Sequence, residues 1–590
     1  MAIRPPIRPA PASAALQTRF VRGREKPRGV VWFGVGSFWG HLRHFLAAAI
    51  ATEDVDSRDW MTADPPDELM ERVVSALGPR AEGASLTERL ERDVWIDYVA
   101  DTGDDVAVSR AVARLLFARY TLPDPDYPGQ ELTAPRGDLL IFGGDTAYPV
   151  ATAQEITNRV LVPYNQVLEE LARDGEHAAP RVLLGLPGNH DWYDGLDGFG
   201  RMFRRRPDGD EEHRPSVLGV SERMLKHYAD WAREFVRGGK LEKPKALVLS
   251  GYVPVQNASY FVLPLTPFVH LYGVDRQLRT VDMRQRQFMT DWHRRYPDAF
   301  PWVMMPDPLY RFAGPSRTGT DMVRAMGFDF DTTSHFLLSG DVHHYQRLRR
   351  DRMLHVIAGG GGAFLHPAPM ARRRLALESE WPSPEQSRAL IWQAPLKIAR
   401  GRSGFLPHLL LGLLFTPTML AGVSAPLGAP LTLSALITLF LWPVLALIGG
   451  VRRGGKTVGA LSFVAAALIG FLPVFASLLL LYLFGRLGLS EHAWLLGAGV
   501  LVASCFWGAF LFGSYLSLLT LWGFEHTQAF TALDHPGYKH FLRLRVRADG
   551  KGVDGFCIGL TDPLAKEAAP VLVDTFTWRP EEEESRRTMW

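Results

Sequence analysis

The chain has 590 residues, 65 basic and 63 acidic side chains for a net charge of +2, and two cysteines, Cys505 and Cys557. That length exceeds the roughly 250–300 residues at which one hydrophobic core stops growing, so at least two folded units are expected. The balance of charge excludes a dedicated nucleic-acid binder, and two cysteines exclude a disulfide framework.

Residues 1–89 read as an N-terminal segment. The first 28 are rich in Arg and Pro and lack the apolar stretch of a signal peptide. Val30 to Ala51 is apolar and aromatic but interrupted by His41, Arg43 and His44. It reads as an amphipathic helix, lying on a bilayer or on the surface of the folded unit that follows.

Residues 90–402 carry an α/β pattern. Short apolar runs predict strands at Val94–Ala100, Leu139–Phe142, Val182–Leu186, Trp302–Met305 and Phe336–Leu338, with helices at Gln154–Arg173 and Ser221–Arg237 between them. Arg201–Glu212 reads as a polar insertion. Each strand runs into groups able to hold a metal: Asp101-Thr102-Gly103-Asp104, Gly143-Gly144-Asp145 with Tyr148, Gly188-Asn189-His190-Asp191, Pro306-Asp307-Pro308, and Gly340-Asp341-Val342-His343. Ligands collect at the carboxyl ends of strands in open α/β sheets, so five such ends can converge. Taken singly, Asp101 is equally a helix cap and Asp307 equally a turn residue between prolines.

This ordered series resembles that of the calcineurin-like metallophosphoesterases, over roughly residues 90–365, with Gly188-Asn189-His190-Asp191 its most specific element. The resemblance implies a β-sandwich flanked by helices and two metal ions, divalent or mixed-valence, drawn from Mn, Mg, Fe and Zn. Gly103 stands where most of that family has a ligating His. The purple-acid-phosphatase branch shares this departure and supplies a Tyr three residues after the second aspartate, where this chain has Tyr148. Asp341 replaces the first His of the last motif, and Asp307 stands in the region of the family's lone His. Carried over, Asp101, Asp145, Tyr148 and His343 would hold one ion and Asp145, Asn189 and Asp341 the other, joined there by Asp307 if it is a ligand rather than a turn residue. Oxygen ligands alone would suit the second site to Mg²⁺ or Mn²⁺. His190 would protonate the leaving group, with Asp191 orienting its ring.

Between Ser403 and Trp522 only five charged residues occur, while the rest of the chain is about 26% charged. Four apolar runs, roughly 405–424, 430–450, 458–485 and 493–522, each reach the ~20 residues needed to cross a bilayer as a helix. Lys397, Arg400 and Arg402 precede the block, and Arg452, Arg453 and Lys456 lie between its second and third runs, so both termini and the front unit are expected on the cytoplasmic side of the plasma (inner) membrane. Residues 523–590 form a tail in which Phe541–Arg547, Asp549-Gly550 and Phe556–Leu560 predict a β-hairpin. The expected protein is a membrane-anchored metal-dependent phosphoesterase acting on a mono- or diester by two-metal activation of water. A lipid-linked substrate is attractive because tethering concentrates the enzyme at the bilayer, and no nucleic acid is expected as partner. The competing reading is an inactive, phosphoesterase-like sensing or regulatory module attached to the membrane block. The oligomeric state is left open.

Overall fold

The computed structural model describes residues 17–20, 29–35, 37, 62–78, 81–174, 179–205, 246–276, 281–328, 333–370, 375–424, 428–488 and 493–581. Most of the expected helix over 30–51, all of Ser221–Arg237 and the second half of the polar insertion lie outside them.

The strands in chain order are β1 Val94–Val99, β2 Tyr120–Pro123, β3 Glu131–Ala134, β4 Leu139–Phe142, β5 Arg181–Gly185, β6 Tyr252–Pro254, β7 Phe261–Pro264, β8 Val269–Gly273, β9 Phe300–Met305, β10 Tyr310–Arg311, β11 Gly314–Pro315, β12 His335–Ser339, β13 Tyr345–Arg350, β14 Met353–Ala358, β15 Ser379–Trp381, β16 Lys539–Val546, β17 Val553–Leu560 and β18 Val571–Trp578. Among the described residues they build two seven-stranded sheets, in the orders β18-β17-β16-β1-β4-β5-β6 and β15-β13-β14-β12-β9-β8-β7. The central strands β1, β4, β5 and β6 are parallel in one sheet, as are β8, β9, β12 and β14 in the other.

Alternation along the strands stacks the sheets. Ile96, Tyr98, Ile141 and Leu184 of the first meet Trp302, Met304, Phe336 and Leu338 of the second in one buried cluster. The opposite faces, with Val99, Leu140, Phe142, Val303 and Met305, are buried in a cluster that includes residues of the helices Val106–Phe117, Val162–Arg173 and Met283–Arg295. The expected helix Gln154–Arg173 is present but has a π-helical turn at Thr157–Leu161. The result is a mixed α/β sandwich with helices outside.

The tail is part of this sandwich. The β16–β17 hairpin turns at Asp549-Gly550, with Gly550 at φ 73°, and β18 adds a third strand. β16 pairs antiparallel with β1, placing Val546 opposite Val94 and Arg543 opposite Asp97. The chain therefore leaves the sheet, forms the apolar helices and returns to finish it.

Among the described residues, three helices are long and apolar enough to cross a membrane: Gly428–Ile448, Gly454–Leu483 and Leu495–Leu521. The first expected span forms the helix Leu406–Ser424, shorter in its apolar stretch and carrying Pro417 inside. Leu436, Leu439, Leu447, Leu478 and Leu479 are exposed on these helices, as lipid-facing residues are. Ala394 and Ile398 of the preceding linker pack into the same buried cluster as Leu516 of the last long helix, and Ser517 Oγ donates to the Ile391 carbonyl at 3.3 Å. The sandwich is thus docked on the helices.

Candidate functional site

Three strand ends turn sharply. Asp101 after β1, Asp145 after β4 and Asp341 after β12 all have left-handed backbones, at φ 59°, 49° and 62°. Such φ values are uncommon outside glycine and concentrate where the fold holds a side chain in place for a task. Glycines give the carboxylates room: a Cβ at Gly340 would stand 2.7 Å from Asp101 Oδ2, one at Gly359 2.6 Å from it, and one at Gly188 would collide with Asp145 Oδ1.

The Tyr148 hydroxyl sits 3.0 Å from Asp101 Oδ1, 3.1 Å from Asp145 Oδ2 and 3.2 Å from His343 Nε2. The four residues of the first expected ligand set are therefore gathered, all buried. Gly103 has φ 65°, and a Cβ there would meet the Thr146 carbonyl at 2.9 Å. A histidine at 103 would be strained by the left-handed backbone and crowded by the Thr146 carbonyl and Val160, and the tyrosine hydroxyl reaches the carboxylates instead. His343 donates Nδ1–H to the Phe364 carbonyl at 2.7 Å, leaving Nε2 toward the hydroxyl. Burial pushes His343 down to about 4, so its ring is neutral at pH 7.

The second expected set is arranged differently. Asp307 Oδ2 lies 3.1 Å from Arg276 Nε, and Asp341 Oδ2 lies 3.3 Å from Arg311 Nη2. Asn189 Oδ1 accepts from Arg276 Nη1 at 3.5 Å, and its Nδ2 donates to Tyr193 Oη at 3.2 Å. Sequence reasoning missed both arginines. Arg276 was open to discovery, since Val269–Gly273 is a further apolar run ending three residues before it; Arg311 lies beyond any strand-end pattern. His366, stacked on His343 at 4.1 Å between ring centroids and accepting from the His343 N–H at 3.0 Å, was missed too.

His190 donates its backbone N–H to Asp145 Oδ1 at 2.8 Å, and its Nε2 is 4.0 Å from Asp145 Oδ2. Its Nδ1–H points at the Pro149 carbonyl, 2.7 Å away. The orienting partner expected in Asp191 is thus a backbone carbonyl. Asp191 accepts from the Gly188 and Thr146 N–H groups at 2.9 and 3.3 Å and fastens the loop. Burial, then repulsion from Asp145, lifts its carboxyl to about 8.

Among the described residues no three His, Cys, Asp or Glu side chains stand as a ready ligand cage. The donor chemistry still suits a cation at the first set. Burial, then repulsion from Asp145 and Asp341, holds Asp101 well above the usual carboxylate range. Burial and Asp341 lift Asp307 to about 7 against the pull of Arg276. Carboxylates crowded together out of water are relieved by a positive ion. The His343 ring is held as ligating imidazoles are, by a carbonyl on its other nitrogen. At the second set a cation would compete with two guanidinium groups.

The site lies at one end of a cavity of about 960 Å³ lined by Asp145, Asn189, His190, Asp341 and His343, and also by leucines of the apolar helices. No protein-family profile and no curated protein matches the chain. Similar solved structures include one titled "Structure of PhoD", 12% identical with a TM-score of 0.27, covering 48% of this chain and 59% of that one. Another is "GAP50 the anchor in the inner membrane complex of Plasmodium", 10% identical with a TM-score of 0.27, covering 49% of this chain and 77% of that one. This chain thus spans little more than half the length of the first, and at such TM-scores neither likeness carries any argument here.

Proposed function

We propose that the chain is a membrane-anchored, metal-dependent hydrolase of phosphate esters. The observation that carries this reading is the gathering of Asp101, Asp145, Tyr148 and His343 at buried strand ends, with Asp145, Tyr148, His343 and the neighbouring His190 lining a cavity. The ordered motif series described above agrees with it.

A divalent cation held by Asp101, Asp145, Tyr148 and His343 would neutralise phosphate charge and acidify a water. The chain's own residues do the rest. In hydrolysis the water oxygen bonds to phosphorus, the bond to the leaving oxygen breaks, and that oxygen takes a proton. With Nδ1–H committed to Pro149, the proton His190 moves is the one on Nε2. Arg311 lines that cavity, and Arg276 contacts Asn189, which lines it too; fixed guanidinium charges there suit the oxygens of a phosphate.

The β1–β16 pairing supports a four-crossing arrangement. Both ends of the helical block must emerge on the sandwich's side of the bilayer, which requires an even number of crossings. The three long helices need Leu406–Ser424 as the fourth. The link after the second helix returns to that side, where a Cβ at Gly454 would stand 3.0 Å from Phe524 Cδ1. That link carries Arg452, Arg453 and Lys456, so the positive-inside rule puts the sandwich in the cytoplasm.

One observation favours a second reading, a regulatory module without catalysis: Arg276 and Arg311 already neutralise Asp307 and Asp341. Metal content and turnover of an aryl phosphate by the purified full chain separate the two. A bound cation with turnover is expected, together with a ~10²–10⁴-fold loss in His190→Ala at unchanged metal content. Metal-free, inert protein after incubation with Mn²⁺, Zn²⁺ and Fe²⁺ would favour the module.

A further inference from the structure

We propose that the substrate is an amphiphile, a phosphate ester whose hydrocarbon chain lies between the membrane helices while its head occupies the site. This rests on the phosphoesterase reading and names the class of ester. The cavity, of about 960 Å³, is near the top of the ~300–1,000 Å³ range of small-molecule sites, larger than a phosphate head needs. Its two ends differ in chemistry. One wall is Asp145, His190, Arg311, Asp341 and His343; the other is Leu411, Leu441, Leu445 and Leu516, with no charged side chain among the residues the membrane helices contribute.

The junction is built. Phe33 N–H donates to the Ser403 carbonyl at 2.9 Å, and Leu406 N–H donates to the Phe33 carbonyl at 3.1 Å, fastening the 30–34 loop to the start of the helix Leu406–Ser424. Trp32 beside it packs edge-on to Tyr148, His190 and Phe364, with ring centroids 5.8, 6.4 and 5.0 Å away. An indole and a phenyl ring thus line the passage from polar to apolar. On the helices Leu410, Leu413, Phe440 and Val444 line the same cavity yet are exposed, so its apolar end faces the region a bilayer fills. A hydrocarbon chain enters sideways from lipid without crossing water, and its attached phosphate arrives at the ion-binding carboxylates.

The test uses the full chain in detergent, loaded with Mn²⁺. The probes are p-nitrophenyl alkyl phosphates and n-alkyl phosphates from methyl to octyl, kept monomeric. We expect kcat/KM to rise about fourfold per methylene, as burial of each CH₂ at about 0.8 kcal/mol requires. Leu410→Trp and Val444→Trp, placed at the exposed mouth where folding is not at stake, lower the octyl-to-methyl ratio about tenfold. Hydrolysis of the methyl members with a flat chain-length profile, or a ratio untouched by both variants, overturns the inference and leaves the phosphoesterase reading standing. A second arm needs no turnover. An alkylphosphonate with a terminal diazirine should crosslink to peptides 406–415 and 440–448, and unlabelled octylphosphonate and inorganic phosphate should each compete. Label spread over the lipid-facing helices without competition means that the probe only partitions onto the apolar surface as detergent does, and overturns the inference. If no ester is hydrolysed, the phosphoesterase reading fails while this arm still decides the cavity's occupant.

Discussion

The phenolic oxygen of Tyr148 lies 3.0 Å from Asp101 Oδ1, across a gap between the ends of two adjacent parallel strands. The pair takes the place that Gly103, with its left-handed backbone, cannot fill with a side chain of its own. If Tyr148 helps to hold a cation, Tyr148→Phe lowers Mn²⁺ or Zn²⁺ affinity about 10–100-fold with little change in fold. Calorimetric titration of wild type and variant checks this. Equal affinities would make the hydroxyl a packing group only.

Arg276 and Arg311 set the terms for any second cation. Wild-type protein should show one tight and one weak Mn²⁺-binding event. Removing the guanidinium 3.1 Å from Asp307, in Arg276→Ala, should tighten the weak event about tenfold while leaving the tight one in place. Unchanged isotherms would mean that Asp307 takes no part in ion binding.

Orientation is open to direct measurement. In a chain with Cys505 and Cys557 replaced by serine, a cysteine at Gly428 should react with an impermeant maleimide from outside intact cells, and one at Lys456 should not. The reverse pattern would put the sandwich outside.

Asp97 and Arg543 form a fully buried, two-pronged ion pair across the β1–β16 seam, at 2.7 and 3.0 Å. Arg543 also donates to the carbonyls of Leu116 and Ala118. Asp97→Ala strands the guanidinium and should cost about 3–5 kcal/mol, whereas Asp97→Leu with Arg543→Met recovers much of the loss. Denaturant unfolding of the three proteins measures it. A single-mutant cost below about 1 kcal/mol would show that water reaches the seam.

Burial lowers His270 to about 4, His355 to about 3 and His540 to about 3. Between these values and the unfolded value near 6.5, the unfolded chain binds protons that the native chain does not. Stability is therefore fully present above pH 6.5 and falls as the pH drops, by about 1.4 kcal/mol per pH unit for each histidine. His355→Leu, which removes a ring whose Nδ1 is buried without a hydrogen-bond partner, should flatten the slope by about one proton. Parallel slopes from pH 6.5 to 4.5 would rule this out.

Much of the site was legible because its information is local. An apolar run that ends in Gly-Asp or Gly-Asn-His announces a strand and its carboxyl end, and β1, β4, β5, β9 and β12 lie where those runs fall. Gly103 and Tyr148 were linked through the resemblance to the purple-acid-phosphatase branch, and the structure adds a steric reason. What depends on distant partners was not legible. The hairpin of Phe541–Arg547 was legible, but nothing near it says that its other edge pairs with β1. Arg276 and Arg311 owe their roles to carboxylates on other elements, and the contact of His190 with Pro149 in place of Asp191 depends on how the loop after β4 folds back. The cavity belongs to two segments whose patterns speak separately of sandwich and membrane.

The return of β16 to β1 has a consequence for biogenesis. On a growing chain Val94–Val99 leaves the ribosome with one edge unpaired, and that edge waits until Lys539–Val546 has been made. At ~5–20 residues per second the wait is roughly 20–90 s, during which the helical block must be handed to the insertion machinery. Misinsertion of a single helix would strand the last three strands across the bilayer, so a completed sheet certifies correct threading. Protease resistance of the N-terminal half would then report on membrane topology, a proofreading link between two parts of one polypeptide.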